Sequence, residues 1–568
     1  MTNASAVDLI DLPDRIRQIA QQSPDRAALI SVARKPWGSK TVKTSTFKTI
    51  SDRSERLAVG LKKIGVGEGT LCSYMVPPGE DAMVIALALW RVGAVMVGIE
   101  PYSHGLRPIS KSLARVGPTV FFGPAEAQAA QLAFGWGRGT VKTRIVIDSQ
   151  KLPGSRGPVS LLPGVHSLAK LEENAAPENP QTVEVGADAP MLIGYTTGST
   201  GNPKPMVMTK QNVSAMINGV MAQWQLGSGE EIVDMPTFPI FWIIGLSHGG
   251  TTIVPPMDFA LHGPGDAKPE WIADAIVSQN VHSMFASPAL LTNLVEYCAK
   301  EGMTLPSIKR IVSGGAEIQG PLYAAMKPVI PNGELYSNYG ATEALPVAEI
   351  DGETVLGETW ALSEQGRGLC VGFPLPGVEA RIIEIDDDDI ATIDDARELP
   401  TGEIGELIVR SPHVSDHYYN APEDMAANKI EDGDTRWQRL GDTAYLDEQG
   451  RIWVCGRRSH RVVSGDGLWF ALPCEFVFNT HPDVLRTALI GPTRGGEVVP
   501  TICVELLPGA RSSRSEVEAD LRKMAEEHDS TRGIENFIFL DKLPVDKRHN
   551  AKIDRPELAR QASAGKIH

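Results

Sequence analysis

The chain has 568 residues, too many for one hydrophobic core, so two or more domains are expected. Hydrophobic content of 42% and charged content of 22% are those of an ordinary globular protein. A formal net charge of −16 argues against a nucleic-acid partner, whose phosphates need a basic face, yet leaves room for a basic pocket.

In chain order, residues 10–35 read as an entry helix in which Ile16, Ile19 and Ala20 share a face, and Ser23-Pro24 ends the pattern. Residues 44–65 read as a second helix preceded by a strand. Leu71 to Val76 is a strand, Glu80 to Val92 a helix, and Ala94 to Ile99 a strand. The alternation recurs around residues 110–123, 205–260 and 270–315, which indicates α/β architecture with mostly parallel sheets. Two segments are strongly apolar. Met83 to Gly98 is interrupted by Arg91, and Phe238 to Ser247 is too short to cross a bilayer, so both read as buried elements and no transmembrane span is expected.

From about residue 368 the texture becomes β-rich, with short strands at Val378–Ile385, Gly405–Arg410 and Ile452–Val454. The acidic run Asp386–Asp389 with Asp394-Asp395 lacks the glycine and glutamate of an EF-hand loop and reads as a solvated turn. The tail has its own pattern: strands at Thr487–Ile490, Pro500–Leu506 and Asn536–Leu540, and a helix to about His528 opened by a capping box at Ser515 and Glu518. This divides the chain into a core, residues 1–456, and a small α+β domain, residues 457–568. The six cysteines form no C-x-x-C pair, so neither a zinc nor a redox site is indicated; buried reduced thiols and a start without signal-peptide features point to the cytoplasm.

The most informative stretch is Tyr195-Thr-Thr-Gly-Ser-Thr-Gly-Asn-Pro-Lys204, which follows a strand-like run from Met191. Gly198 and Gly201 let backbone N–H groups turn toward an anion, Thr196, Thr197, Ser199 and Thr200 add hydroxyls, and Lys204 adds charge, so the stretch is a phosphate cradle. The spacing of Gly201 and Lys204 is not that of a P-loop. Further on, Tyr336-Ser-Asn338-Tyr339-Gly340-Ala-Thr342-Glu343 offers a ring to stack on a purine, a glycine for close approach, a hydroxyl for phosphate and a carboxylate for Mg²⁺. Ser313-Gly-Gly315-Ala316-Glu317 would let backbone approach a base or ribose, and reads equally well as a strand-to-helix turn. Asp442 is suited to accept from both ribose hydroxyls, Arg457 to bind ribose or phosphate, and Lys552 to place a point charge from a polar tail. Each of these last three, taken singly, also fits an ordinary surface residue.

Their joint order resembles the adenylate-forming superfamily of acyl-CoA synthetases, luciferases and peptide-synthetase adenylation domains. The likeness covers nearly the whole chain and includes Gly65-Val-Gly-Glu-Gly69, Trp90-Arg-Val-Gly-Ala-Val95, Gly372-Phe-Pro-Leu-Pro-Gly377 and Gly405-Glu-Leu-Ile-Val409. The resemblance implies that Thr197 to Lys204 is the phosphate loop, Tyr339 the adenine stacker, Glu343 the Mg²⁺ ligand, Asp442 the ribose anchor and Lys552 the adenylation lysine, with ATP and Mg²⁺ required. It also implies a small mobile C-terminal domain that carries the lysine as a lid.

Some stretches depart from the family. Pro236-Thr-Phe-Pro-Ile-Phe-Trp242 has no histidine where many acyl-CoA synthetases have one, Ser459 stands at the expected hinge, and Ser464-Gly-Asp-Gly-Leu-Trp469 replaces the stretch that receives pantetheine. These bear against CoA transfer and leave acid adenylation intact. Tyr339–Val347, Cys370–Pro374, Cys455–Val462, Phe478–Leu489 and Arg548–Ile553 resemble one branch, the bacterial β-lactone synthetases of long-chain olefin biosynthesis. That resemblance implies adenylation of a long-chain 2-alkyl-3-hydroxy acid, closure to a β-lactone with loss of AMP, and other enzymes of the same olefin pathway as partners. Phe238, Phe241, Trp242 and Ile243 are candidates to line an acyl tunnel or, equally, to be core. The alternatives are a long-chain acyl-CoA synthetase or fatty acyl-AMP ligase and, from another class, a non-catalytic adenylate-binding scaffold.

Overall fold

A computed structural model describes residues 7–34, 39–98, 106–147, 164–173, 182–196, 203–226, 231–259, 263–465, 467–545 and 553–567. Its frame is two large sheets. An eight-stranded sheet carries, in spatial order, His417–Tyr418, Lys204–Thr209, Pro190–Thr196, Val95–Gly98, Leu71–Tyr74, Val120–Gly123, Thr143–Val146 and Val165–Ser167. All of its neighbours pair parallel except the first three strands. A fourteen-stranded sheet is parallel from Ala27–Arg34 across to Glu334–Ala341 and antiparallel beyond it. The β-rich segment expected after residue 368 is thus the antiparallel continuation of this sheet rather than a separate layer. Strands of the parallel part are short and buried, as crossovers on both faces require.

Helix Glu80–Arg91 is buried along almost its whole length, which accounts for the apolar run around it. Arg91, the interruption, has no exposed side chain. Its guanidinium donates to Asp14, to the carbonyl of Pro13 and to Thr182 at 3.1–3.2 Å, so the buried charge is paired. Among the described residues no helix is long and apolar enough to cross a membrane. All six cysteines are buried and unpaired.

After residue 457 the chain builds a three-stranded sheet of Val484–Ile490, Thr501–Leu506 and Asn536–Leu540. Two apolar clusters belong to this part alone, one around Phe478, Leu489 and Leu521, the other around Ala488, Ile538 and Leu558. Helix Arg514–Glu527 is opened by a capping box at Ser513 and Glu516, two residues earlier than the pattern suggested. The cause lies upstream: the Asp483 carboxylate accepts the N–H groups of Arg511 and Ser512 at 3.0 Å, so the chain turns into the helix directly after them. Helix Ala471–Phe478 is buried throughout and joins this part to the rest. Leu472 and Phe476 enter the apolar cluster of Val347, Leu407 and Ile452, and Phe476 meets Trp360 edge-on at 5.4 Å.

Candidate active site

The strand Pro190–Thr196 and its antiparallel partner Lys204–Thr209 bring Thr196 opposite Lys204, at the two ends of the glycine-rich stretch. Thr197, Gly198, Ser199, Thr200 and Gly201 lie outside the described residues, as does Lys552. Thr196 is buried, and its Oγ1 has no hydrogen-bond partner among the described residues. The Lys204 ammonium donates to Asn428 Oδ1 at 2.9 Å and stands 5.8 Å from the Tyr418 ring centroid. Burial lowers its pKa, against the opposing charges of Glu343 and Asp424.

In the fourteen-stranded sheet, Arg310–Ser313 and Glu334–Ala341 run parallel with Ser313 opposite Ser337. Gly314 follows the first of these strands. A Cβ there would come 2.9 Å from the Asn338 carbonyl oxygen and 3.5 Å from Phe285, so only glycine allows the two backbones this close. Gly315 turns the chain at φ +89°, with Ala316 half-buried and Glu317 exposed behind it. The Tyr339 motif, expected to follow a strand, is itself the end of one: it crosses into the antiparallel strand Ala344–Asp351 through a turn holding Thr342 and Glu343. Gly340 is required there, since a Cβ would come 2.4 Å from the Ala344 carbonyl oxygen. Thr342 is exposed and Glu343 half-buried. Ser313 Oγ and Asn338 Oδ1 are buried without partners among the described residues, beside those glycines.

Asp442 and Arg457 face each other on paired strands. Tyr339 donates its hydroxyl to Asp442 Oδ2 at 2.6 Å, and Arg457 donates to Asp442 Oδ1 at 2.7 Å and to the Leu440 carbonyl at 2.9 Å. Burial and then the Asp442 charge raise the Tyr339 phenol well above its usual range, while the same charge raises the Arg457 guanidinium. Tyr339, over a hundred residues upstream, therefore joins Asp442 and Arg457 in one cluster.

A second cluster went unread in the sequence. Tyr418 donates to Glu343 Oε1 at 2.9 Å. Lys429 is buried, stands 5.6 Å from the Tyr418 ring centroid and donates to the Ser415 carbonyl. Ser415 in turn gives its N–H to the Glu343 carbonyl at 2.8 Å and its hydroxyl to the Val207 carbonyl at 2.7 Å. One short segment thus ties the Glu343 turn to the strand that leaves the glycine-rich stretch. A lone lysine after Asn428 carries no pattern that could have revealed this.

Of the four acyl-tunnel candidates, Phe241 lines a small pocket with Trp224, Leu226, Ile244 and Phe285. Its ring lies 4.0 Å from that of Phe285, and Phe238 meets Phe285 edge-on at 5.6 Å. Trp242 and Ile243, on helix Trp242–Ser247, pack into the core instead; the helix turns Ile244 toward the cavity.

The arrangement suits a nucleoside triphosphate. Two glycines forced by close backbone approach and two orphaned buried oxygens, Ser313 Oγ and Asn338 Oδ1, lie toward the ends of two neighbouring parallel strands, where nucleotides bind in open α/β sheets, and the charge of Glu343 on the adjoining turn acts on Lys204 of the other sheet. Among the described residues no group of three or more metal-ligating side chains exists. A single carboxylate such as Glu343 fits Mg²⁺ that arrives with phosphates, since that ion takes one or two carboxylates plus phosphate oxygens.

Comparison with known proteins agrees. Residues 16–419 match the family model described as AMP-binding enzyme. The chain is 35% identical to the olefin beta-lactone synthetase of Stenotrophomonas maltophilia (strain K279a), over 97% of each chain. It is 34% identical to the olefin beta-lactone synthetase of Xanthomonas campestris pv. campestris, over 100% of each. The indoleacetate–CoA ligase of Aromatoleum aromaticum is 26% identical over 81% of this chain and 83% of its own. Among solved structures, ATP-bound MatB from Rhodopseudomonas palustris superposes with a TM-score of 0.74 at 20% identity, covering 97% of this chain and 99% of that one. The amide bond synthetase McbA from Marinactinospora thermotolerans gives 0.75 at the same identity and coverage. The chain belongs to the AMP-binding enzyme family and is an adenylate-forming enzyme.

Proposed function

We propose that this enzyme is an ATP-dependent β-lactone synthetase acting on a long-chain 2-alkyl-3-hydroxy acid in a hydrocarbon-forming pathway of the cytoplasm. The observation that carries the reading is the 35% identity to an olefin beta-lactone synthetase over 97% of both chains. Adenylation is mainly positioning and charge stabilisation. Thr196 to Lys204 hold the outgoing phosphates, and Gly314, Gly315 and Gly340 let backbone approach the nucleotide. Tyr339 stacks on the adenine, and Asp442 with Arg457 anchors the ribose. Glu343, steadied by Tyr418, would hold Mg²⁺, which would supply charge to neutralise the phosphates. Residues 457–568 act as a lid that brings Lys552 to the α-phosphoryl oxygens.

The substrate carboxylate attacks the α-phosphorus and pyrophosphate leaves. The 3-hydroxyl then attacks the activated acyl carbon, loses its proton, and AMP leaves as the four-membered ring closes. Holding hydroxyl and carbonyl together offsets part of the ring strain. A second reading, transfer of the acyl group to CoA, is favoured by the weaker likeness to CoA ligases. The two are separated by following pyrophosphate and AMP with a 2-alkyl-3-hydroxy acid and with its 3-deoxy analogue. Rapid turnover of the hydroxylated acid alone supports lactone closure; equal turnover of both, dependent on CoA, refutes it.

A further inference from the structure

The two charged ends of the phosphate site belong to different sheets. Lys204 begins a strand of the eight-stranded sheet, whereas Glu343 sits on a turn of the fourteen-stranded one. The stretch from Ser415 to Lys429 joins them. His417–Tyr418 adds to the edge of the first sheet, with Tyr418 opposite Met206, and the Tyr419 N–H donates to the Pro205 carbonyl at 2.7 Å. Lys429 opens a strand that pairs with Thr435–Leu446 in the second sheet, opposite Gln438. Between them lies helix Pro422–Asn428, whose last side chain serves the phosphate end. Asn428 Nδ2 donates to the Asp424 carbonyl at 2.8 Å, which leaves Oδ1 to receive Lys204.

Lys429 folds this stretch back on itself. Its ammonium donates to the Ser415 carbonyl, fourteen residues upstream, and that is its one hydrogen bond among the described residues. Only 4% of the residue is exposed, so water does not supply the rest. Burying a charge with so little compensation is costly, and apolar side chains of similar volume often serve stability as well or better. Stability therefore does not account for a lysine here. Its surroundings do. Glu343 and Asp416 attract the ammonium and Arg436 opposes them. Glu343 is held at two points by the same stretch: its carbonyl accepts the Ser415 N–H at 2.8 Å, and its Oε1 accepts the Tyr418 hydroxyl at 2.9 Å. Lys429 touches both anchors, bonding to Ser415 and standing 5.6 Å from the Tyr418 ring centroid.

We infer that Lys429 is a positioning residue for the Mg²⁺ carboxylate: it fixes Ser415 and Tyr418, and through them the orientation of Glu343. The inference rests on the assignment of Mg²⁺ to Glu343 in the proposed function. Groups that orient a metal ligand typically govern affinity by about 10- to 100-fold. The sign of the effect separates positioning from simple charge. A buried cation acting only through space repels a second cation, so its removal would tighten Mg²⁺ binding. Loss of positioning weakens it.

The test titrates ATP by calorimetry into the full-length enzyme and its variants, in EDTA and again in Mg²⁺; the readout is the affinity gained from Mg²⁺. Lys429→Met should lose about tenfold or more of that gain while its affinity in EDTA stays within about threefold of the parent. Should the Met variant fail to fold, Lys429→Gln, which keeps a donor, carries the same test with a loss of about threefold or more. Glu343→Gln should remove most of the gain, and adding Lys429→Met to it should then cost less than about twofold more. A gain in the folded Lys429 variants that is unchanged or larger overturns the inference and leaves the Glu343 assignment standing. So does equal weakening in EDTA and in Mg²⁺, which would mean a generally loosened site, and so does a full Lys429 effect in the Glu343→Gln background. If Glu343→Gln keeps the parental gain, the Mg²⁺ assignment itself fails and the inference falls with it.

Discussion

Asp442→Ala should weaken ATP binding by about 30- to 150-fold. The Asp442 carboxylate offers about four acceptor positions. The Tyr339 hydroxyl takes one on Oδ2 and Arg457 takes one on Oδ1, so one remains on each oxygen, suited to two neighbouring ribose hydroxyls. Hydrogen bonds to a charged group contribute about 1.5–3 kcal/mol each. Water replaces part of this in the variant, and Arg457, more than a third exposed, is partly rescued by solvent. A net loss of about 2–3 kcal/mol remains, which corresponds to the stated range. Titration calorimetry with ATP reads it directly. Asp442→Asn, which keeps the shape, should lie between the two. A folded Asp442→Ala protein with parental ATP affinity would refute the ribose assignment.

Lys552→Ala should lower pyrophosphate release about a hundred- to thousandfold, the usual effect of losing a transition-state charge contact, with ATP affinity nearly unchanged; parental release rates would remove Lys552 from the reaction. Gly314→Ala places a methyl 2.9 Å from the Asn338 carbonyl oxygen, so adenylation should fall at least about tenfold and stability by about 1–3 kcal/mol; a variant equal to the parent in both would show that the approach of these strands is not needed. Burial, opposed by the charges of Glu343 and Asp416, holds the Lys429 ammonium down to about 8, below the about 10.4 of an unfolded chain. The unfolded chain then binds more protons between those values, so this group makes stability rise with pH from about 8 to 10. Lys429→Met lacks that rise: its melting temperature relative to the parent should fall as pH goes from 7.5 to 10, and a flat difference would contradict the burial of a charged lysine.

Local signals were legible where one element carried its own pattern. The expected helix at residue 80 is seen at Glu80–Arg91, because its first-turn acids and apolar run are contiguous. The run from Met191 is the strand Pro190–Thr196, set by turn residues on either side. The capping box slipped by two residues because Ser513/Glu516 and Ser515/Glu518 fit the same pattern, and only the distant Asp483 decides between them. Long-range register was illegible. Nothing local marks Thr252, Asp234, Ser283 and Arg310 as neighbours, since their adjacency depends on how four separate strands align. The Phe238–Ile243 run is read as apolar in sequence, but only the helix phase sends Phe241 to the cavity and Trp242 and Ile243 to the core. No local pattern marks Lys429; its burial beneath Tyr418 follows from the fold.

The central claim is that the activated acid is captured by its own hydroxyl. Mass spectrometry of the product formed from Mg·ATP and a 2-alkyl-3-hydroxy acid, with and without CoA, tests it most directly. The account predicts a product lighter than the acid by one water, formed with one AMP, in equal amount whether or not CoA is present. A CoA thioester that retains the hydroxyl, with no lactone in its absence, would contradict it.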